Sequence, residues 1–177
     1  MKGSLPDVPG PVLPAPDAPV APTLRSALGR FATGVTIVTC RGADGRPVGL
    51  TVNSFSSLSL DPPLVLWSLR RVSPSRAAFL AASHFAVNVL AEGQVDLSRR
   101  FASGVGDRFA EGVWHVGHGG VPVLNQAAAV FECETTLRQE AGDHTLFIGR
   151  VERFADGRQP PLVFFAGRYH RAGDLLP

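Results

Sequence analysis

The segment PVGLTVNSFSSLSLDPPLVLWSL (47–69) decides the reading of the fold. Its two ends, PVGL and PPLVLWSL, are apolar and rich in Val, Leu and Trp, which suit a pleated, half-buried surface. Between them the chain turns polar, and Asp61-Pro62-Pro63 interrupts the backbone donors. The pattern predicts strands over 47–55, 56–60 and 63–69. Upstream, VTIVTC (35–40) is another β-branched strand, and Asp44-Gly45 in the following RGADGRP supplies a hairpin turn. Downstream, HFAVNVLA (84–91) and three long segments over 128–139, 144–155 and 161–171 continue the strand signal.

Helical signals are short and few. TLRSALGRFATG starts at Thr23 as a plausible N-cap, repeats Leu24, Leu28 and Phe31 at helical spacing, and can stop at Gly34. SPSRAAFLAAS opens with Ser73 as cap and Pro74 at the first helical position. GQVDLSRRFAS (93–103) is amphipathic, and a glycine-rich, weakly patterned stretch follows to about residue 120. Strands joined by tight turns outnumber helices, and βαβ alternation is absent from the pattern. The expected class is mainly β: an antiparallel barrel, closed to remove exposed edges, with short peripheral helices.

Residues 1–22 carry seven of the fifteen prolines, a density that fixes φ and removes backbone donors. They are expected to form a disordered or extended Pro/Ala-rich arm ahead of a single domain over 23–177. The chain is 45% hydrophobic and 18% charged, enough apolar content for a packed core. A net charge of +2 gives no footprint for nucleic acid. The two cysteines, Cys40 and Cys133, lie in apolar runs and suit core positions in a reducing cytoplasm. Neither a signal peptide nor an apolar stretch of the ~18 residues that suggest a membrane span is seen.

Three features carry possible chemistry. In TVNSFSSLS (51–59) six of nine side chains are hydroxyls or an amide, a longer polar run than a turn needs. Such a run can serve an acceptor-rich ligand edge, or can be an exposed Ser/Thr-rich strand. SLRRVSPSR (68–76) sets Arg70, Arg71 and Arg76 around a helix start with Ser73 and Ser75, a phosphate-friendly arrangement or an ordinary cap. AGDH (141–144) is a sharp turn that leaves His144 at a strand start, as a ligand contact or an idle turn residue. His115 and His118 form an HxxH pair without an evident third ligand, so no metal site is assigned. Dinucleotide-fold, Walker and nucleophile-elbow motifs are missing from the sequence.

Taken together, FATGVTIVT…GRPVGLTVNSFSSLSLDPPLVLWSL…SPS…FAVNVLAEGQVDLSRRFA…AGDH…IGRV…PPLVFFAGRY resembles the flavin reductase domain of two-component monooxygenases, over about 24–171. Those are the small partners of 4-hydroxyphenylacetate, phenol and styrene oxygenases. The resemblance implies an FMN-binding split β-barrel, antiparallel and Greek-key, assembled as a homodimer. It implies flavin contacts from Thr51, Val52, Asn53, Ser54, Phe55, Ser56 and Ser57, with Ser73 and Ser75 on the phosphate side. His144 matches the histidine beside the nicotinamide, the one residue assigned to catalysis; Thr33 to Val35 and Tyr169 are minor contacts. Asn53 stands where relatives frequently carry serine. The implied activity is reduction of FMN or FAD by NADH or NADPH, with reduced flavin diffusing to a monooxygenase or halogenase. The alternative is a flavin-binding barrel that carries or senses flavin without turnover. A pyridoxamine-phosphate type of oxidase would need more basic residues, and Lys2 is the sole lysine.

Overall fold

The computed structural model describes residues 20–104 and 106–173. The expected arm therefore lies, up to residue 19, outside the described residues. Helix α1 (Val20–Leu28) leads into β1 (Thr33–Gly34), β2 (Thr36–Arg41), β3 (Pro47–Val52), β4 (Ser56–Leu60) and β5 (Pro63–Arg70). Next come α2 (Arg76–Ala81), β6 (His84–Val89), α3 (Val95–Ala102), β7 (Trp114–Val116) and β8 (Pro122–Leu124). The chain ends in β9 (Ala129–Ala141), β10 (His144–Asp156), β11 (Leu162–Phe165) and β12 (Arg168–Arg171). Single 3-10 turns occupy Glu92–Gln94 and His118–Gly120.

Seven strands form one antiparallel sheet in the order β3-β2-β6-β9-β10-β5-β4. A smaller sheet, β1-β11-β12, and the β7-β8 hairpin complete the architecture. Mainly antiparallel β structure with short helices is thus as expected. The closed barrel is not: β3 and β4 are the two edges of the sheet, and no ladder joins them among the described residues. Closure requires non-local pairing, on which strand periodicity is silent.

β2 is buried on both faces from Thr36 to Cys40, which suits its β-branched, weakly polar sequence. Successive side chains alternate between two cores. Val38 and Cys40 face a cluster built on Trp67, Phe79, Phe85, Cys133 and Phe147, drawn from β5, α2, β6, β9 and β10. Trp67 stacks on Phe147 (centroids 4.6 Å, 11°) and meets Phe79 edge-on at 4.9 Å. Val35 and Ile37 face the other cluster, with Phe101, Val123, Leu124 and Leu162. Buried Asn88 fastens the two layers: its amide donates to Ile37 O at 3.0 Å and accepts from Leu124 N–H at 2.8 Å.

Several local readings change. α1 begins at Val20, so Thr23 lies inside the helix; Pro22 falls in the first turn, where its missing N–H has no intrahelical partner to lose. α2 proper begins at Arg76, after a turn in which Ser73 O accepts the Arg76 N–H (3.1 Å) and Ser73 Oγ accepts the Ser75 N–H (3.3 Å). The segment 161–171 is a hairpin, folded at Ala166 (φ 49) and Gly167 (φ 79). The glycine-rich stretch contains the β7-β8 hairpin. Of the C-terminal phenylalanines, Phe147 is core, Phe131 stacks on Phe55 (5.6 Å), and Phe164 packs on Tyr169 (5.5 Å). Exposed large apolar side chains are instead Leu24, Leu28, Phe31, Leu60 and Phe154.

Candidate functional site

The turn where β3 gives way to β4 meets a hairpin from the far end of the chain. Asn53 and Ser54 leave the strand, and Ser54 reaches across to β5. Its hydroxyl accepts the Ser68 N–H at 3.0 Å and donates to Ser68 O at 3.1 Å, serving as a surrogate ladder residue between β3 and β5. Thr51 donates its hydroxyl to Ser98 O of α3 at 2.7 Å, and Ser98 Oγ in turn bonds Tyr169 OH at 2.9 Å. The β3 end is thereby held from two sides.

The hairpin is β9-β10, closed by Gly142-Asp143. Pairing of β10 with β5 sets His144 opposite Arg70, and Arg71 N–H donates to Asp143 O at 2.9 Å. His144 Nδ1 lies 2.7 Å from Asp143 Oδ1. The hydrogen bond from His144, and then its charge, hold the Asp143 carboxyl below its ordinary range. An ionised carboxylate only accepts, so Nδ1 carries the proton and Nε2 is the ring nitrogen left for a ligand. Arg71 and Arg76 both pair with Glu140 (3.5 and 2.6 Å), whereas Arg70 has no ion pair among the described residues.

These pieces surround an open pocket of about 270 Å³, with Leu50, Val52 and Leu69 as apolar lining and Asn53, Ser73, Arg70 and His144 as polar lining. A second depression, about 430 Å³, takes Pro47, Val48 and Gly49 of the same strand together with Pro74, Ser75 and Arg108. Both border β3, the first from Leu50 to Ser54 and the second from Pro47 to Gly49. A groove with apolar and hydrogen-bonding lining together fits a flat ring system with a polar edge.

Of the expected site residues, Thr51, Val52, Asn53, Ser54, Ser73 and His144 line the first pocket. Ser75 lines the second and is itself buried. Phe55 turns to Phe131, partly buried, while Ser56 and Ser57 are exposed on β4, with Ser56 Oγ donating to Ser57 O at 3.1 Å. The sequence reading did not single out Leu50, Ser68 and Leu69, and it named Arg70 only as one of three charges around the helix start. Ser68 was findable, as a lone hydroxyl in the otherwise apolar PLVLWSL. Both cysteines are buried, and that burial pushes their thiols up to about 12. His115 bonds Asn125 at 2.6 Å and stands apart from the groove.

Most of the chain is similar to known proteins. The model of the flavin reductase like domain matches residues 28–173. A probable flavin reductase of Rhizobium meliloti is 47% identical over 146 residues, covering 82% of this chain and 47% of that protein. The FMN reductase (NADH) SmoA of Agrobacterium fabrum is 46% identical over 149 residues, 84% of each chain. This chain thus spans about half the length of the first relative and most of the second. Among solved structures, an NADH:FAD oxidoreductase of Streptomyces globisporus, in complex with NAD and FAD fragments, superposes with a TM-score of 0.83 at 37% identity. That match covers 92% of this chain and 98% of the other. With the match running from the end of α1 through β12, the chain belongs to the flavin reductase-like domain family.

Proposed function

We propose that this chain is an NAD(P)H:flavin oxidoreductase that reduces FMN or FAD and releases the reduced flavin to a partner oxygenase. The observation that carries the reading is the convergence of Asn53, Arg70, Ser73 and His144, from three separate hairpins and turns, on one groove along β3. Relatives named FMN reductase (NADH) and flavin reductase (NADH) support the nicotinamide and flavin assignments. Others are named as the reductase component of a trigonelline monooxygenase and of a tryptophan halogenase, which supports a monooxygenase or halogenase as recipient. The finer architecture that goes with this is an FMN-binding split barrel, and the two buried thiols suit a reducing cytoplasm. A homodimer is the assembly, with exposed Leu24, Leu28, Phe31, Leu60 and Phe154 as its apolar contact set.

When bound, the flavin supplies the two-electron redox chemistry, accepting hydride from the nicotinamide. The protein contributes binding, orientation and charge. Thr51 and Ser54 fix the turn, since their hydroxyls are taken up by Ser98 and Ser68; Asn53 is the side chain in this turn left to meet a ligand. Arg70 favours negative charge, whether phosphate or the electron-rich reduced ring. His144 Nε2, the ring nitrogen that Asp143 leaves free, suits the carboxamide of a nicotinamide, and we assign it to that ligand. No acid, base or nucleophile is required of the chain.

The test is direct. The purified protein should oxidise NADH or NADPH in the presence of FMN or FAD, followed as loss of nicotinamide absorbance. Tight flavin binding without that oxidation would leave a carrier or sensor in place of a reductase.

A further inference from the structure

We propose that His84, His118 and Glu152 form a binding site for one divalent first-row metal ion of the zinc class. His84 opens β6, Glu152 sits near the end of β10, and His118 opens the 3-10 turn between β7 and β8. Both imidazoles aim Nε2 at the same carboxylate oxygen: Glu152 Oε2 lies 3.4 Å from His84 and 3.0 Å from His118. The three ligand atoms all fall within 4.8 Å of one another. Zinc bonds of about 2.0–2.1 Å at tetrahedral angles place ligand atoms roughly 3.3–3.4 Å apart; the two His–Glu separations are already close to this, and the two imidazole nitrogens lie within 4.8 Å of each other. Two imidazoles and one carboxylate select zinc-like cations over Mg²⁺ and Ca²⁺, which prefer all-oxygen shells.

The surroundings are built to hold these groups. His84 Nδ1 lies 2.9 Å from Ser83 Oγ, an outer partner that fixes the ring. The backbone of the 3-10 turn presses on the same ring: a Cβ at Gly119, where φ is +63°, would fall 2.4 Å from His84 Cγ. The two rings meet edge-on, with centroids 5.6 Å apart. The His118 N–H donates to the Glu132 carboxylate. Arg150 pairs with Glu134 (2.6 Å) and touches Glu152 through Oε1 (3.4 Å), which leaves Oε2 to the metal. Glu132 and Glu152 together balance a dication. The side chains of His84, His118 and Glu152 remain 24%, 37% and 25% exposed, enough for an ion to enter and a water to complete the shell.

Glu152 is eight residues beyond His144 on β10, on the order of 25 Å at strand rise, so this site is separate from the groove. The bound ion would staple the 3-10 turn to β6 and β10. HxxH gave no hint of it, because His115 is not a ligand and the other two groups come from distant strands.

The test uses the full chain, stripped with chelator, then titrated with Zn²⁺ by calorimetry and with Co²⁺ by visible absorption. One equivalent should bind, Co²⁺ should show the ligand-field bands of a four- or five-coordinate nitrogen–oxygen site, and Zn²⁺ should raise Tm. Mg²⁺ should do neither. His118→Ala and Glu152→Gln should each lower affinity by more than about tenfold, and Ser83→Ala by ~10–100-fold. His115→Ala should bind as wild type. Should either ligand variant fail to fold by circular dichroism, the other decides. Undiminished binding in His118→Ala and Glu152→Gln, binding that depends on His115, or no uptake by the wild type would each overturn the proposal and leave a plain His–Glu ion-pair cluster.

Discussion

Replacing His144 by Ala should impair use of the nicotinamide and spare the flavin. The side chain is 38% exposed, its Nδ1 is held by Asp143 at 2.7 Å, and only Nε2 is left for a ligand. One neutral hydrogen bond is therefore at stake, worth ~0.5–1.5 kcal/mol net. At 1.36 kcal/mol per decade the loss in kcat/KM for NADH is about two- to tenfold. Exposure of the ring lets water replace part of the lost contact, which favours the lower half of that range. The assay is steady-state NADH oxidation with each substrate varied in turn, beside flavin affinity measured by fluorescence quenching. KM for NADH should rise while flavin affinity changes less than about twofold, below the effect of losing a single hydrogen bond. Asp143→Asn, which keeps an acceptor for Nδ1 without its charge, should give a smaller shift in the same parameter. If His144→Ala weakened flavin and left the NADH KM alone, the histidine would serve the flavin and the orientation argued from Asp143 would be wrong.

Ser54→Ala removes both bonds to the Ser68 main chain and should cost ~1–3 kcal/mol, lowering Tm and flavin affinity together; an unchanged Tm would show that the β3-β5 clasp carries no strength. Gly149→Ala places a Cβ 2.4 Å from Phe85 Cζ and 2.9 Å from Cys133 Cβ, and the overpacking should cost ~1–3 kcal/mol, read as a lower urea midpoint at constant slope. Cys40 and Cys133, pushed from 9.0 to about 12, should resist thiol reagents at pH 8 in the native protein and react once it is unfolded in urea. Because these acids are weakened by folding, their stabilising share is complete below pH 9 and lost as pH rises toward 12; a stability that holds level over that window would contradict their burial.

Strands such as β5, with Val65, Trp67 and Leu69 buried in alternation, were legible because period-two burial is written locally; 56–60, bounded by turn signals, falls on β4 residue for residue. What failed is what local pattern does not hold. The β11-β12 turn uses Ala166 at φ 49 where an Asn or Asp would advertise it, so one long strand was read where there are two. Sheet closure depends on whether β3 finds β4, and neither strand's composition reports its neighbour. The site divides along the same line. The hydroxyl density of 51–59 pointed to a turn that lines the pocket, yet density is blind to direction: Thr51, Ser54 and Ser56 bond protein carbonyls, and Asn53 alone in the turn faces the pocket unengaged among the described residues. Arg70 was legible as a charge beside the helix start, but its place opposite His144 comes from the register with a strand supplied by the other end of the chain. His84 and Glu152 meet His118 by the same kind of long-range pairing. Residues that act locally, by capping, turning or covering a core face, could be read one segment at a time; those that act by convergence needed the sheet order first.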